Sequence, residues 1–248
     1  MRWVARGEPH LPAGQAWLTA YEARRAAGMR FRKRRTEYLV RRLTAKHAVA
    51  LTLGWPTDEA TLGRIAVPNR LTGAPYVEVD GEPLGLDVSL TDRAGWGVCL
   101  VGRDLGAVGC DVELVEPRSA GFVADFLTPH EQQMVRAADE EGQAMLANLV
   151  WSAKESALKV RRTGLRRDTR TVEVHLDPAS ASDGRWAPLE VRDDGGRPMP
   201  GWWLRVGPWL LTVAYDVPGP APEPLEHPSA LVGARPTHSW MADPLAQS

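Results

Sequence analysis

Asp111 and Glu113 stand two apart in the segment Val108-Gly109-Cys110-Asp111-Val112-Glu113. On a strand that spacing sends both carboxylates to one face of a sheet, with Val108, Cys110 and Val112 directed the other way, into the core. Two like charges side by side repel, and at a cleft such a pair needs a cation. Hard oxygen donors of this kind suit Mg²⁺, which takes one or two carboxylates together with the phosphate oxygens of a substrate. The same pair on an exposed strand would be an ordinary solvated face.

A second cluster lies in Trp151-Ser152-Ala153-Lys154-Glu155-Ser156-Ala157-Leu158-Lys159. At helical spacing Val150, Ala153, Ala157 and Val160 share one side. Glu155 and Lys159, four apart, share the opposite side with Lys154 at its edge. Alone this reads as an amphipathic helix with a surface ion pair, worth only a few tenths of a kcal/mol. A third carboxylate beside two lysines is also the set that a metal–pyrophosphate site requires. The carboxylate completes the metal shell and the ammonium groups neutralise phosphate oxygens.

The third feature is basic. Between Glu22 and Lys46 stand ten cations, Arg24, Arg25, Arg30, Arg32, Lys33, Arg34, Arg35, Arg41, Arg42 and Lys46, against Glu22 and Glu37 alone. A second run, Lys159–Arg170, adds Arg161, Arg162, Arg166, Arg167 and Arg170. Such clusters suit a phosphate-rich ligand, an acidic protein or nucleic acid, or form a solvated helix face. Only Phe31 interleaves Arg30–Arg35, and the lack of stacking aromatics weighs against nucleic acid. The six histidines show no metal-ligand spacing, and no dinucleotide, Walker or nucleophile-elbow motif is present.

These residues need a scaffold. With 248 residues, 44% hydrophobic and 25% charged, the chain has the composition of a soluble globular protein long enough for one large domain or two fused halves. A net charge of −1 means that any polyanion site must come from local clustering. Cys99 and Cys110 sit in apolar stretches and read as buried thiols in a reducing compartment. No signal peptide or membrane span is visible, so the expectation is a cytoplasmic protein.

Periodicity predicts a helix over 18–53, broken near Ala27–Gly28 by the glycine. Tyr76–Val79 alternates and Asp80-Gly81 marks a hairpin turn. Val88–Leu90, Trp96–Val101 and Val108–Leu114 read as strands of one sheet, with a tight turn at Arg103–Gly106 joining the last two. Helices are predicted over 129–138 and 142–162, the second ended by Gly164. Strands follow at Thr171–Leu176, Leu189–Val191, Trp202–Val206 and Leu210–Tyr215. Past Val217 prolines recur with few aliphatics, which predicts a mobile tail without a core. The expected organisation is an N-terminal half over 1–116, a C-terminal half over 117–217 and a Pro-rich tail over 218–248.

Taken together and in this order, VGCDVE at Val108–Glu113 and WSAKESALK at Trp151–Lys159 resemble the surfactin-synthetase-activating (Sfp) class of 4′-phosphopantetheinyl transferases. The resemblance runs from about Arg25 to Tyr215. It includes Gly73-Ala74-Pro75, similar to a GxP segment, and Phe126–Glu131, similar to a segment ending in a functional glutamate. It implies a monomeric α+β protein of the phosphopantetheinyl transferase fold, with two similar α+β halves in pseudo-two-fold arrangement and coenzyme A in the cleft between them. It further implies Mg²⁺ on Asp111, Glu113 and Glu155, and phosphate contacts from Lys154 and Lys159. Glu131 would be the base for the carrier serine, with Lys154 and Glu155 also in the catalytic set. Arg25 and Arg70 would contact the 3′-phosphate, with Thr91 and Asp92 beside the coenzyme A.

The implied reaction moves 4′-phosphopantetheine from coenzyme A to a serine of an acyl or peptidyl carrier protein of polyketide or nonribosomal peptide biosynthesis, releasing 3′,5′-ADP, with no nucleic acid or membrane partner. Two departures stand out. Ser89-Leu90-Thr91-Asp92 carries an aspartate where relatives have a phosphate-contacting histidine, and Ala74 stands where a lysine is frequent. A carboxylate beside a phosphate is repulsive unless a cation intervenes; Arg93 and Arg25 are the expected candidates. Three other readings remain: a coenzyme A- or carrier-binding protein of the same fold with weak activity, a Mg²⁺-dependent hydrolase or nuclease, and a non-enzymatic interaction module.

Overall fold

A computed structural model of the chain describes residues 1–104, 106–162, 167–176 and 184–237. It is a mixed α+β protein dividing into two compact units, Met1–Asp104 with Pro222–Ser248, and Leu105–Ala221. The first unit begins with strand β1 (Arg2–Gly7), then α1 (Ala20–Ala27), α2 (Arg32–Leu53), α3 (Glu59–Arg64), β2 (Ile65–Ala66), β3 (Val77–Val79), β4 (Glu82–Leu84), β5 (Asp87–Arg93) and β6 (Trp96–Gly102). The second holds β7 (Val108–Leu114), α4 (Ala120–Phe126), α5 (Pro129–Ala137), α6 (Glu140–Val160), β8 (Val172–Leu176), β9 (Ala187–Asp193), β10 (Pro198–Val206) and β11 (Trp209–Tyr215). Strand β12 (Glu223–Pro224) returns to the first unit. Among the described residues, no helix is long and apolar enough to cross a membrane.

In the first unit the strand order is β12-β1-β6-β5, and α2 lies on this sheet. Leu43, Ala48 and Val49 pack with Val4, Val88, Cys99 and Val101, which is the apolar stripe of an amphipathic helix meeting the inward residues of strands. The expected break between the two N-terminal helices falls at Gly28–Phe31, and α2 ends at Gly54 in the left-handed conformation, φ 70°. The β3–β4 hairpin turns at Asp80 and Gly81, both at positive φ, as an Asp-Gly turn requires. Met1–Gly14, which carries no periodic signal, supplies an inner strand instead: Trp3, Val4 and Ala5 of β1 are buried between β6 and β12.

The second unit orders its strands β7-β11-β10-β9-β8, all neighbours antiparallel, with α6 across one face. Here the expected register changes. Arg103–Gly106 does not join two paired strands: β6 stays in the first sheet while β7 pairs with β11, Asp111 facing Thr212 and Glu113 facing Leu210. The boundary between the units therefore lies at Asp104 and Leu105 rather than near 116. Gly164, expected to end the long helix, lies outside the described residues.

The Pro-rich segment also departs from expectation. Over 222–237 it docks on the first unit, with Leu231 and Ala234 buried. β12 runs parallel to β1, and the Trp96 indole donates to the Arg235 carbonyl at 2.8 Å. Arg6 binds both oxygens of Glu226 at 2.6 and 2.7 Å and donates through Nε to His47 Nδ1 at 3.1 Å. Burial, then the Arg6 charge, pushes the His47 imidazole down to about 4, so it stays neutral and accepts that bond. The prolines misled because they signal only the absence of a self-contained core; a sheet edge already formed supplies the missing partner. The last residues, 238–248, lie outside the described residues. A chain ending at Ala221 is expected to melt at least about 5 °C lower, because uncovering the apolar surface on which Leu231 and Ala234 are buried forfeits about 2 kcal/mol and each kcal/mol is worth roughly 2–4 °C at this size. An unchanged melting temperature would show the docked segment to be inert.

Candidate active site

Gly109 sets the distance between β7 and α6. A side chain there would collide with the Ser156 carbonyl and the Lys159 side chain, so only glycine lets the strand run against the helix. Ser152 and Ser156 both meet the Thr212 hydroxyl at 2.8 Å, which joins α6 to β11 at the level of Asp111. The carboxylates of Asp111 and Glu113 thus lie on the sheet face that α6 covers, not on a face turned from the core. Both residues are buried, Asp111 at 7% and Glu113 at 9% exposed.

The acidic cluster is held by fixed donors. Lys159 Nζ donates to Asp111 Oδ1 at 3.0 Å and to the Cys110 carbonyl at 2.8 Å. Glu113 accepts from the Trp151 indole at Oε1, 3.0 Å, and from Arg118 at Oε2, 3.0 Å. Glu155 is half-buried, and its Oε1 has no hydrogen-bond partner. Burial, with the Asp111 charge next, pushes its carboxyl up to about 7. Among the described residues no three His, Cys, Asp or Glu side chains are gathered closely enough to hold a metal by themselves. A buried carboxylate oxygen without a partner, beside two further carboxylates, nevertheless fits a hard cation. Mg²⁺ in particular completes its shell with water and phosphate rather than an all-protein cage.

The sign of the Glu155 shift gives a pH dependence. Its ordinary value is 4.5, so between about 4.5 and 7 the metal-free native state holds a proton that the unfolded chain has released. That stabilisation is complete below about pH 4.5 and is lost as pH rises through about 7. In chelator, wild type should lose melting temperature from pH 5 to pH 8 by more than Glu155→Gln does. Parallel pH profiles for the two would remove the assignment.

Lys154 and Glu131 fall elsewhere. Both side chains are fully buried, 2.7 Å apart. Lys154 also donates to the carbonyls of Thr169 and Val172, at 3.0 and 2.8 Å, so all three ammonium protons have acceptors. Burial draws the lysine below its usual range, while Glu131 opposes. Glu131 Oε2 accepts from the Thr128 amide and Oε1 from the Val174 amide, at 2.7 and 2.8 Å. Thr128 and Glu131 form a capping box with Pro129 at the first helical position.

The first unit repeats this device: Thr19 and Glu22 cap α1, and fully buried Lys46 binds Glu22 at 2.6 Å and the carbonyls of Trp17 and Leu62. The two TxxE spacings were the available signal, since they mark helix starts before they mark chemistry.

The cationic residues divide likewise. Arg161, Arg167 and Arg170 of the second basic run are engaged by Asp193, Asp194 and Asp168; Arg166 lies outside the described residues. In the first unit Arg25 is exposed, donates to Tyr21 at 3.2 Å and lies over the Tyr38 ring at 5.5 Å. Arg70, exposed on the turn closed by Gly73 at φ 89°, lies over Tyr76 at 4.8 Å. Thr91 is buried in β5. Asp92 pairs with Arg41 at 2.5 Å, not with Arg93 or Arg25. Arg41 and Asp92 are 51 residues apart, beyond any local spacing rule.

Residues 107–195 match the family model of the 4′-phosphopantetheinyl transferase superfamily. The matched stretch contains Asp111, Glu113, Glu155 and Lys159, and lies within the second unit. No curated protein matches the chain. The superfamily match therefore falls on the acidic cluster itself, whereas the basic and aromatic residues of the first unit lie outside it.

Proposed function

We propose that the chain transfers 4′-phosphopantetheine from coenzyme A to a serine of an apo acyl or peptidyl carrier protein, as an Sfp-class enzyme using Mg²⁺. The observation that carries this reading is the buried, partnerless Glu155 oxygen with Asp111 and Glu113 as charged neighbours and Lys159 on Asp111, inside the segment that matches the superfamily.

Asp111, Glu113 and Glu155 would hold Mg²⁺. When bound, the ion neutralises charge on the pyrophosphate and on the leaving phosphate. Lys159, already aimed at Asp111, adds a further positive charge at the same place. The serine oxygen attacks the β-phosphorus of coenzyme A, a P–O bond forms there, and the bond to the α-phosphate oxygen breaks to release 3′,5′-ADP. The serine proton needs an acceptor. Glu131 is a poor one, being buried with both oxygens already engaged. Lys154 and Glu131 then serve the reaction by holding α6 to the elements that flank it.

Arg25 and Arg70, each beside a tyrosine, supply exposed cations for the 3′-phosphate. Asp92 does not meet the phosphate bare: it holds Arg41, whose side chain is about a third exposed. A guanidinium fixed by a carboxylate replaces the histidine contact.

The test is the mass shift of an apo carrier protein with enzyme, Mg²⁺ and either coenzyme A or its 3′-dephospho form. Transfer from coenzyme A at a higher rate is the expected result. No mass shift with any of several acyl and peptidyl carriers would overturn the transferase reading, and equal rates with both donors would overturn the reading of the 3′-phosphate.

A further inference from the structure

The geometry points to Arg118 as a positioning residue for the cation site. It lies after β7, outside both sequence motifs, and this assignment rests on the reading of Asp111, Glu113 and Glu155 as cation ligands.

Three contacts fix its guanidinium. Nη2 donates to Glu113 Oε2 at 3.0 Å, and Nε donates to Asn148 Oδ1 at 2.6 Å. The guanidinium carbon lies 4.6 Å from the centre of the Phe122 ring. Asn148 is itself anchored: it is fully buried in α6, and its amide donates to the carbonyls of Glu116 and Ala144 at 2.6 and 2.7 Å. Phe122 packs edge-on against Trp151, whose indole holds the other oxygen of Glu113. One carboxylate is therefore clamped from two sides by donors that are each anchored to α6 or packed against it.

Each oxygen of a carboxylate offers two lone-pair sites, so these bonds orient Glu113 and leave it able to take a cation. A ligand oriented in advance loses less freedom on binding, and outer partners of this kind contribute about 10–100-fold to metal affinity. The arrangement needs a fork. Arginine can reach Asn148 and Glu113 at once through separate nitrogens of one rigid plane, which a lysine point charge cannot reproduce.

The charge of Arg118 works against a cation, so the sign of the effect separates the two roles. If orientation governs, Arg118→Gln weakens binding; if repulsion governs, it tightens it. The experiment titrates Mn²⁺, as a spin-active stand-in for Mg²⁺, into the full chain by electron paramagnetic resonance and calorimetry. Wild type, Arg118→Gln, Arg118→Lys and Asp111→Asn are compared, with melting temperatures in chelator.

The expected result is at least about 10-fold weaker binding in Arg118→Gln, an intermediate value in Arg118→Lys and loss in Asp111→Asn. In transfer assays the Arg118→Gln defect should appear in the Mg²⁺ concentration for half-maximal rate and recover at saturating Mg²⁺. Wild-type or tighter affinity in Arg118→Gln overturns the assignment. So does wild-type affinity in Arg118→Lys, which keeps the test intact should the glutamine variant fail to fold. Undiminished binding in Asp111→Asn overturns the cation reading itself, and the assignment with it.

Discussion

Asp111→Asn should lower the rate of carrier-protein modification by at least about a thousand-fold, equivalent to roughly 4 kcal/mol of transition-state stabilisation, while the protein stays folded. The substitution keeps the size of the side chain and removes the charge that faces Lys159 and Glu155. What is lost is a ligand of the proposed cation and the balance of charge around the pyrophosphate. What is gained is relief of repulsion: the Asp111 charge is one reason that Glu155 resists ionisation. In chelator the variant should therefore melt no lower than wild type near neutral pH. Inactivity together with undiminished stability is the signature of a functional carboxylate cluster. A variant that kept more than a tenth of the wild-type rate at limiting Mg²⁺ would end the metal assignment for this residue.

Lys154→Met should give the opposite signature. It leaves the Glu131 carboxylate fully buried without its ammonium partner, and breaking such a pair from one side costs about 3–5 kcal/mol. Thermal melts should show a large loss, or no soluble protein. Lys46→Met in the first unit should do the same, since Lys46 is equally buried and bonded to an equivalent capping glutamate far from any acidic triad in sequence. The comparison separates structure from chemistry. If Lys154→Met were inactive yet melted like wild type, while Lys46→Met was unstable, Lys154 would be a phosphate ligand after all. Joint replacement of Lys154 by Met and Glu131 by Gln should recover part of the stability, because no isolated charge then remains in the interior.

These two outcomes also mark how far the sequence could be read. The carboxylate pair on a strand, the third carboxylate on a later helix and the lysine four residues beyond it are properties of local spacing. Periods of 2 and 3.6 residues are set by the backbone, so they survive translation from sequence to structure. The helices over 20–27, 32–53 and 140–160 and the β3–β4 hairpin were legible on the same ground. The role of Gly109 was not legible, because only the packed structure shows the Ser156 carbonyl that excludes a side chain.

Pairing and desolvation were not legible. An apolar strand face specifies that it will be covered, not by what, and so β7 joined β11 instead of β6. A proline-rich segment with no core of its own still found one on β1. A charge in a sequence carries no record of its burial. Lys154 and Lys159 look alike five residues apart on one helix, but one is sealed against Glu131 and the other is near the surface beside Asp111. The same holds for Arg41 on Asp92 and Arg118 on Glu113. Local geometry determined which chemical groups this protein carries and which neighbours share a face. The long-range packing of helices on sheets decided which of those groups keep contact with water and which are spent holding the fold, because the cost of burying a charge depends on partners that no local spacing can name.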